Sequence, residues 1–271
     1  MSKDGIDVDD LKQRLDSGGR TPQPISQSGC FSAILYMIPV SHNPTGTSLS
    51  ADKAVEIIRL ARKHRLLVIC DDVYNLLHFD RANRPPRRLF SFDRKSDEDY
   101  YGNVISNGSF SKLVAPGLRI GWMELPVWLK RTLWIENAAM RSGGCPNMFM
   151  SAVIARALEN GSVDQLIQSN VQKLKERLDS IVDKFDERLK SIGCAYEAPK
   201  GGYYLWVTLP VGMNASEILK EATSNLDLKF HPGAIFYSSE QPPAAGERPF
   251  PLSLPPGGGG RIEGGAPPPE A

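Results

Sequence analysis

The 271-residue sequence has no excess of either charge, because thirty-two lysines and arginines face thirty-one aspartates and glutamates for a net charge of +1. Bulk electrostatics therefore give no reason to expect nucleic acid or a membrane surface as a partner. No apolar run approaches the roughly 18 residues that cross a bilayer, and the N-terminus, Met1-Ser2-Lys3-Asp4-Gly5, is polar. Cysteine is scarce, and Cys30, Cys70, Cys145 and Cys194 lie far apart. They lack the CxxC spacing of zinc and redox sites, so buried free thiols in a reducing, cytoplasmic compartment are expected. What remains, 41% hydrophobic and 23% charged residues, is an ordinary globular balance with room for one large or two modest domains. The expected ligand is a small molecule.

The hydrophobic patterning then indicates an α/β chain. Residues Ile34 to Ile38 form an apolar run that stops at Pro39, as expected for a strand of a parallel sheet buried on both faces. Ala54, Ile57, Ile58 and Ala61 repeat at helical spacing, and Leu66 to Cys70 supply a second buried strand ending at Asp71. This is a βαβ unit. A third strand at Val104-Ile105-Ser106 leads to a polar loop. Helical patterns follow over Val127 to Met140 and Met148 to Glu159, with Gly143-Gly144 between them. A long amphipathic stretch from Gln165 then carries Leu166, Leu174, Leu178, Ile181, Phe185 and Leu189 on one face. A strand at Gly202 to Val207 and a short helix with a capping box from Asn214 and Glu217 complete a small α+β region. From Gln241 the chain is dominated by proline and glycine, a composition that suits a disordered tail. The glycine run before Arg261 lacks the lysine-serine ending of a phosphate loop. The domain division read from these patterns is 1–160, 161–240 and a tail at 241–271.

The polar motifs all fall just beyond strand ends, where open α/β sheets bind ligands. In Ser109-Phe110-Ser111-Lys112, followed by Pro116-Gly117-Leu118-Arg119, one lysine sits between two hydroxyls and an arginine. A lysine amine condenses with an aldehyde to a Schiff base, while hydroxyls and a forked guanidinium hold a phosphate. In Ser41-His42-Asn43-Pro44-Thr45-Gly46, a turn by composition, the Asn43 amide is a donor to a ring oxygen. In Asp71-Asp72-Val73-Tyr74 a carboxylate can pair with a protonated pyridine nitrogen and a phenol can donate to a phenolate oxygen. Asp71 is preferred on its spacing to the tyrosine, with Asp72 the neighbouring alternative. Trp122, Trp128, Trp134 and Trp206 are read as core or interface residues.

In that order, SHNPTG, DDVY, SFSK and PGLRIGW resemble the fold type I aminotransferases that depend on pyridoxal 5'-phosphate, in the class I/II branch of aromatic, kynurenine and aminoadipate aminotransferases. The resemblance covers roughly Asp4 to Phe236. It implies a three-layer sandwich around a mostly parallel sheet, a small C-terminal α+β domain, and a homodimer acting on an amino acid and a 2-oxo acid. It also implies roles: Lys112 for the Schiff base and proton shuttle; Asn43 and Tyr74 for the ring oxygen; Asp71 for the pyridine nitrogen; Ser109, Ser111 and Arg119 for the phosphate. By the same resemblance the chain starts partway through the large domain, without the family's phosphate-binding turn and ring-stacking aromatic. It also has proline, in Phe250-Pro251-Leu252-Ser253-Leu254, where a carboxylate-binding arginine is expected. Arg248 lies nearby, out of register. A non-catalytic relative and a lyase on the same cofactor remain as alternatives.

Overall fold

The computed structural model describes residues 4–17, 31–80, 82, 84–137, 147–237 and 250–253. Helix α1 (Val8–Ser17) precedes β1 (Ala33–Met37), α2 (Ala51–His64) and β2 (Leu66–Asp71). The Ser50 hydroxyl caps α2 by accepting from the Lys53 amide, and Arg65, left-handed at φ 54°, closes it onto the Ala61 and Arg62 carbonyls. The chain then enters β2 within one residue, which is the compact βαβ unit expected from the pattern. Strand β3 (Val104–Ser109), the one-turn helix α3 (Phe110–Leu113) and β4 (Gly121–Glu124) follow. The four strands lie in the order β1-β2-β3-β4, with β1, β2 and β3 parallel and β4 antiparallel.

Helices α1 and α2 cover one face of this sheet. Ile57 and Ala61 of α2 are fully buried against Leu66, Val68 and Val104, and each large side chain so buried contributes about 1.5–3 kcal/mol. The Asn103 amide donates to the Ala61 and Leu66 carbonyls, fastening the end of α2 to the sheet. Strand β1 departs from the expectation of burial on both faces. Ala33, Leu35 and Met37 pack towards α2, whereas Ile34 and Tyr36, on the opposite face, are 65% and 60% exposed. Among the described residues no helix lies over that side of β1.

The second half begins with α4 (Val127–Lys130), which runs on as a π-helical turn to Ile135; the helix expected to Met140 stops there, since Glu136 and Asn137 are not helical, and 138–140 lie outside the described residues. Then come α5 (Met148–Glu159) and the long α6 (Ser162–Arg188). Leu174 and Leu178 of α6 are buried, but Leu166, expected on the same face, is 39% exposed. Val163 and Val171 take the buried positions of that part of the helix. A three-stranded antiparallel sheet, β5 (Ala195–Tyr196), β6 (Tyr204–Thr208) and β7 (Phe250–Ser253), and helix α7 (Ala215–Leu226) complete the fold. Asn214 caps α7 by accepting from the Ser216 amide, and Glu217 supplies no reciprocal bond, so the cap is a single contact and no capping box. Strand β7 is also a correction: four residues of the region read as a disordered tail pair along β6, Tyr204 opposite Ser253 and Trp206 opposite Pro251. The backbone hydrogen bonds of an open strand edge outweigh the poor strand propensity of that composition. Arg248 lies outside the described residues, as do Cys30 and Cys145. Cys70 and Cys194 are free and buried as expected. Among the described residues no helix is long and apolar enough to cross a membrane.

Candidate active site

Strand alternation separates the two aspartates at the end of β2. Asp71 lies opposite Asn107 of β3 and is half-buried. Asn107 donates to its Oδ1 at 3.3 Å, and the Tyr36 hydroxyl, from β1, donates to its Oδ2 at 2.9 Å. Asp72 turns to the other side, where it is 1% exposed and accepts from the Ser106 hydroxyl at 2.6 Å. Burial holds its carboxyl above the usual carboxylate range, against the pull of Ser106 and Arg88. Its Oδ1 has no hydrogen-bond partner. Of the pair, Asp71 is therefore the one open to a ligand.

Lys112 sits on α3, one turn of helix where the sequence suggested a loop. Ser109 caps that turn, its hydroxyl accepting from the Ser111 amide at 3.1 Å. The Lys112 side chain is exposed and forms no ion pair among the described residues. Its Nζ lies 6.0 Å from the centre of the Tyr203 ring, while the Tyr203 hydroxyl donates to the Lys112 carbonyl at 2.7 Å. From α6, Asn170 donates to the Leu113 carbonyl at 3.1 Å. The turn is thus braced from two sides while the amine stays free. Arg119, left-handed at φ 54°, folds back so that its guanidinium donates to the Pro116 carbonyl at 2.9 Å and to the Ser111 hydroxyl at 3.4 Å. Ser109, Ser111 and Arg119 form one donor cluster beside Lys112.

The Asn43 turn closes on itself. His42 donates its backbone N–H to the Thr47 carbonyl and Gly46 donates to the His42 carbonyl, both at 2.7 Å. The turn reaches the remaining groups through the segment ahead of β6. Gly202 has φ +80°, and a Cβ there would stand 2.7 Å from Ser41 Cβ, so only glycine permits this approach. The Asn43 side chain makes no hydrogen bond to another described residue, which leaves its amide available. Tyr74 is buried, its ring 5.9 Å from Tyr203 and 6.0 Å from Tyr204, edge-on to both. Burial, and then the neighbouring Tyr204 hydroxyl, keep its phenol protonated well above the ordinary range. It is held as a neutral donor. Tyr203 therefore touches both Tyr74 and Lys112, and sequence reasoning missed it along with Tyr36, Asn107 and Tyr204. The signal available was the pair Gly201-Gly202 preceding two tyrosines, a mark of close backbone approach.

This donor set fits a phosphorylated pyridine aldehyde: a primary amine without an ion pair among the described residues, a half-buried carboxylate, an idle amide, a neutral phenol and a hydroxyl–guanidinium cluster. Residues 3–230 match the family model Aminotransferase class I and II. The chain is 34% identical over 233 residues to an uncharacterized protein of Saccharomyces cerevisiae, covering 79% of this chain and 52% of the relative. It is 26% identical over 238 residues to aromatic-amino-acid aminotransferase 1 of Thermococcus litoralis, covering 88% of this chain and 52% of the relative. Among solved structures, the Pyrococcus horikoshii kynurenine aminotransferase, solved in complex with PMP, matches with a TM-score of 0.77 at 26% identity, covering 94% of this chain and 57% of that one. The chain spans about half the length of the curated relatives it matches. Its architecture is the fold type I arrangement of the pyridoxal-phosphate-dependent transferases, mostly parallel sheet and α+β region included. With the motif order, the fold and the family match in agreement, the chain belongs to the class I and II aminotransferases.

Proposed function

We propose that this chain carries the cofactor-holding portion of an aminotransferase that moves an amino group from an L-amino acid to a 2-oxo acid with pyridoxal 5'-phosphate. Bound at this site, the cofactor would supply an electron-withdrawing ring to stabilise the carbanion left when the substrate's α-proton departs. The chain's own residues supply position and proton handling. Asp71 would keep a proton on the pyridine nitrogen, Asn43 and Tyr74 would donate to the ring oxygen, and Ser109, Ser111 and Arg119 would hold the phosphate. Lys112 would hold the aldehyde and is the amine placed to move the substrate's α-proton.

The observation that carries this reading is the state of Lys112: its backbone is pinned by Tyr203, while its amine has no ionic partner among the described residues. A structural surface lysine needs no such brace. We further propose that residues 1–160 form the cofactor domain and 161–240 the small domain, that the enzyme works as a homodimer, and that it is cytoplasmic, in keeping with the two free buried thiols. Mixing purified protein with pyridoxal phosphate is expected to give a visible-wavelength Schiff-base band that Lys112→Ala removes. Without such a band in the wild type, both the cofactor and the enzyme assignment fall.

A further inference from the structure

The Asp71 carboxylate is gripped from both neighbouring strands. Asn107 stands directly across from it on β3. Tyr36, on β1, pairs in register with Ile69 of β2, two residues short of Asp71, so only a long side chain can span the diagonal. The tyrosine does so, with its hydroxyl 2.9 Å from Oδ2, while the Asn107 amide sits 3.3 Å from Oδ1. Each carboxylate oxygen has two acceptor positions, so each keeps one for a ligand. The two donors fix the plane of the carboxyl group and thereby the direction in which the remaining lone pairs point. Tyr36 is otherwise hard to explain: its ring is 60% exposed, in a strand whose other face supplies the core.

We propose, on the basis of the cofactor reading above, that Tyr36 is a positioning residue that, together with Asn107, aims the Asp71 carboxylate at the pyridine nitrogen of the bound cofactor. The contact also leaves a mark on the cofactor-free protein. Burial first, and then Asp71, push the Tyr36 phenol up to about 12. A hydroxyl tied to a carboxylate gives up its proton reluctantly, because ionisation would set two anions side by side.

The test uses wild type, Tyr36→Phe, Asp71→Asn and the double variant. Tyr36→Phe keeps the ring and, being at an exposed position, spares the core. In the wild type, pyridoxal phosphate binding is followed through the Schiff-base band. Tyr36→Phe is expected to keep the band, weaken binding about ten-fold, as for loss of one charge-assisted hydrogen bond, and move the pH midpoint of the band upward, because a less well-protonated ring withdraws fewer electrons. On the Asp71→Asn background, Tyr36→Phe is expected to add nothing. A merely structural tyrosine would leave the pH midpoint in place. Affinity and midpoint both within about two-fold of wild type, against the ten-fold expected for a hydrogen bond to a charge, would overturn the proposal. Carbon-13 NMR titration of the Tyr36 ring in cofactor-free protein reads the contact separately. Its midpoint should fall in Asp71→Asn, and an unchanged midpoint also overturns the proposal. A wild type that shows no band while the NMR contact holds refutes the cofactor reading on which the proposed role rests.

Discussion

The hydroxyl of Tyr203 donates to the backbone carbonyl of Lys112 at 2.7 Å, across 91 residues of sequence. Its ring also lies against that of Tyr74. One side chain ahead of β6 therefore fixes the turn that carries Lys112 and packs against the Tyr74 phenol. Tyr203→Phe keeps the ring and removes the brace. We expect it to fold with a loss of about 1 kcal/mol, the net worth of one buried hydrogen bond, measured by denaturant unfolding. Hydrogen exchange should speed up at α3 and stay unchanged at α2. Equal acceleration at both helices would mean that the contact is not local to the lysine turn.

Asp72 gives a pH-dependent signature on the other side of the sheet. Its carboxyl is raised above the ordinary range by burial, so the stabilising contribution of the neutral form is full below the unfolded value near 3.8 and is lost as pH rises through the folded value. Asp72→Asn removes the charge and keeps an oxygen for Ser106. The variant's unfolding free energy relative to wild type should be more favourable at pH 7 than at pH 4, by a margin on the order of the 1–3 kcal/mol of an unsatisfied buried polar atom. A difference that is flat with pH would show that Arg88 and Glu124, which pair beside Ser106, already neutralise the site.

His42 behaves in the opposite sense. Burial, the first cause, drops it from 6.5 to about 4, and its Nδ1 sits 3.0 Å from the Thr45 hydroxyl. The neutral ring is favoured in the folded protein, so its stabilisation is complete above pH 6.5 and fades as pH falls towards 4. The full shift corresponds to at most about 3 kcal/mol. His42→Asn places an amide near the Nδ1 position and should flatten the acid limb of a stability-versus-pH curve over that window. Since Asn43 is the next residue, any cofactor affinity should share the same acid limb. An unaltered slope in the variant would assign the acid sensitivity to other groups.

The βαβ unit and all the strand-end motifs were legible because apolar runs and loop punctuation are local signals. Asp71 and Lys112 could be named for the same reason. Tyr36 could not be recognised as a partner of Asp71, because in sequence it is one apolar residue in a run of five, and only the strand register brings the two together. Tyr203 was hidden by distance along the chain. Leu166 misled because a stretch of helical spacing does not say where the helix leaves its partner. Strand β7 misled because composition was weighed over the edge of β6 that awaited pairing.

The pairing of β7 with β6 also bears on where the protein can be cut. Strand β6 begins at Tyr204, next to the residue that braces Lys112 and against the ring of Tyr74. Trimming the chain at the start of its proline- and glycine-rich region, the obvious way to tidy it for expression, would take Phe250–Ser253 with it and leave β6 with only the two-residue β5 beside it.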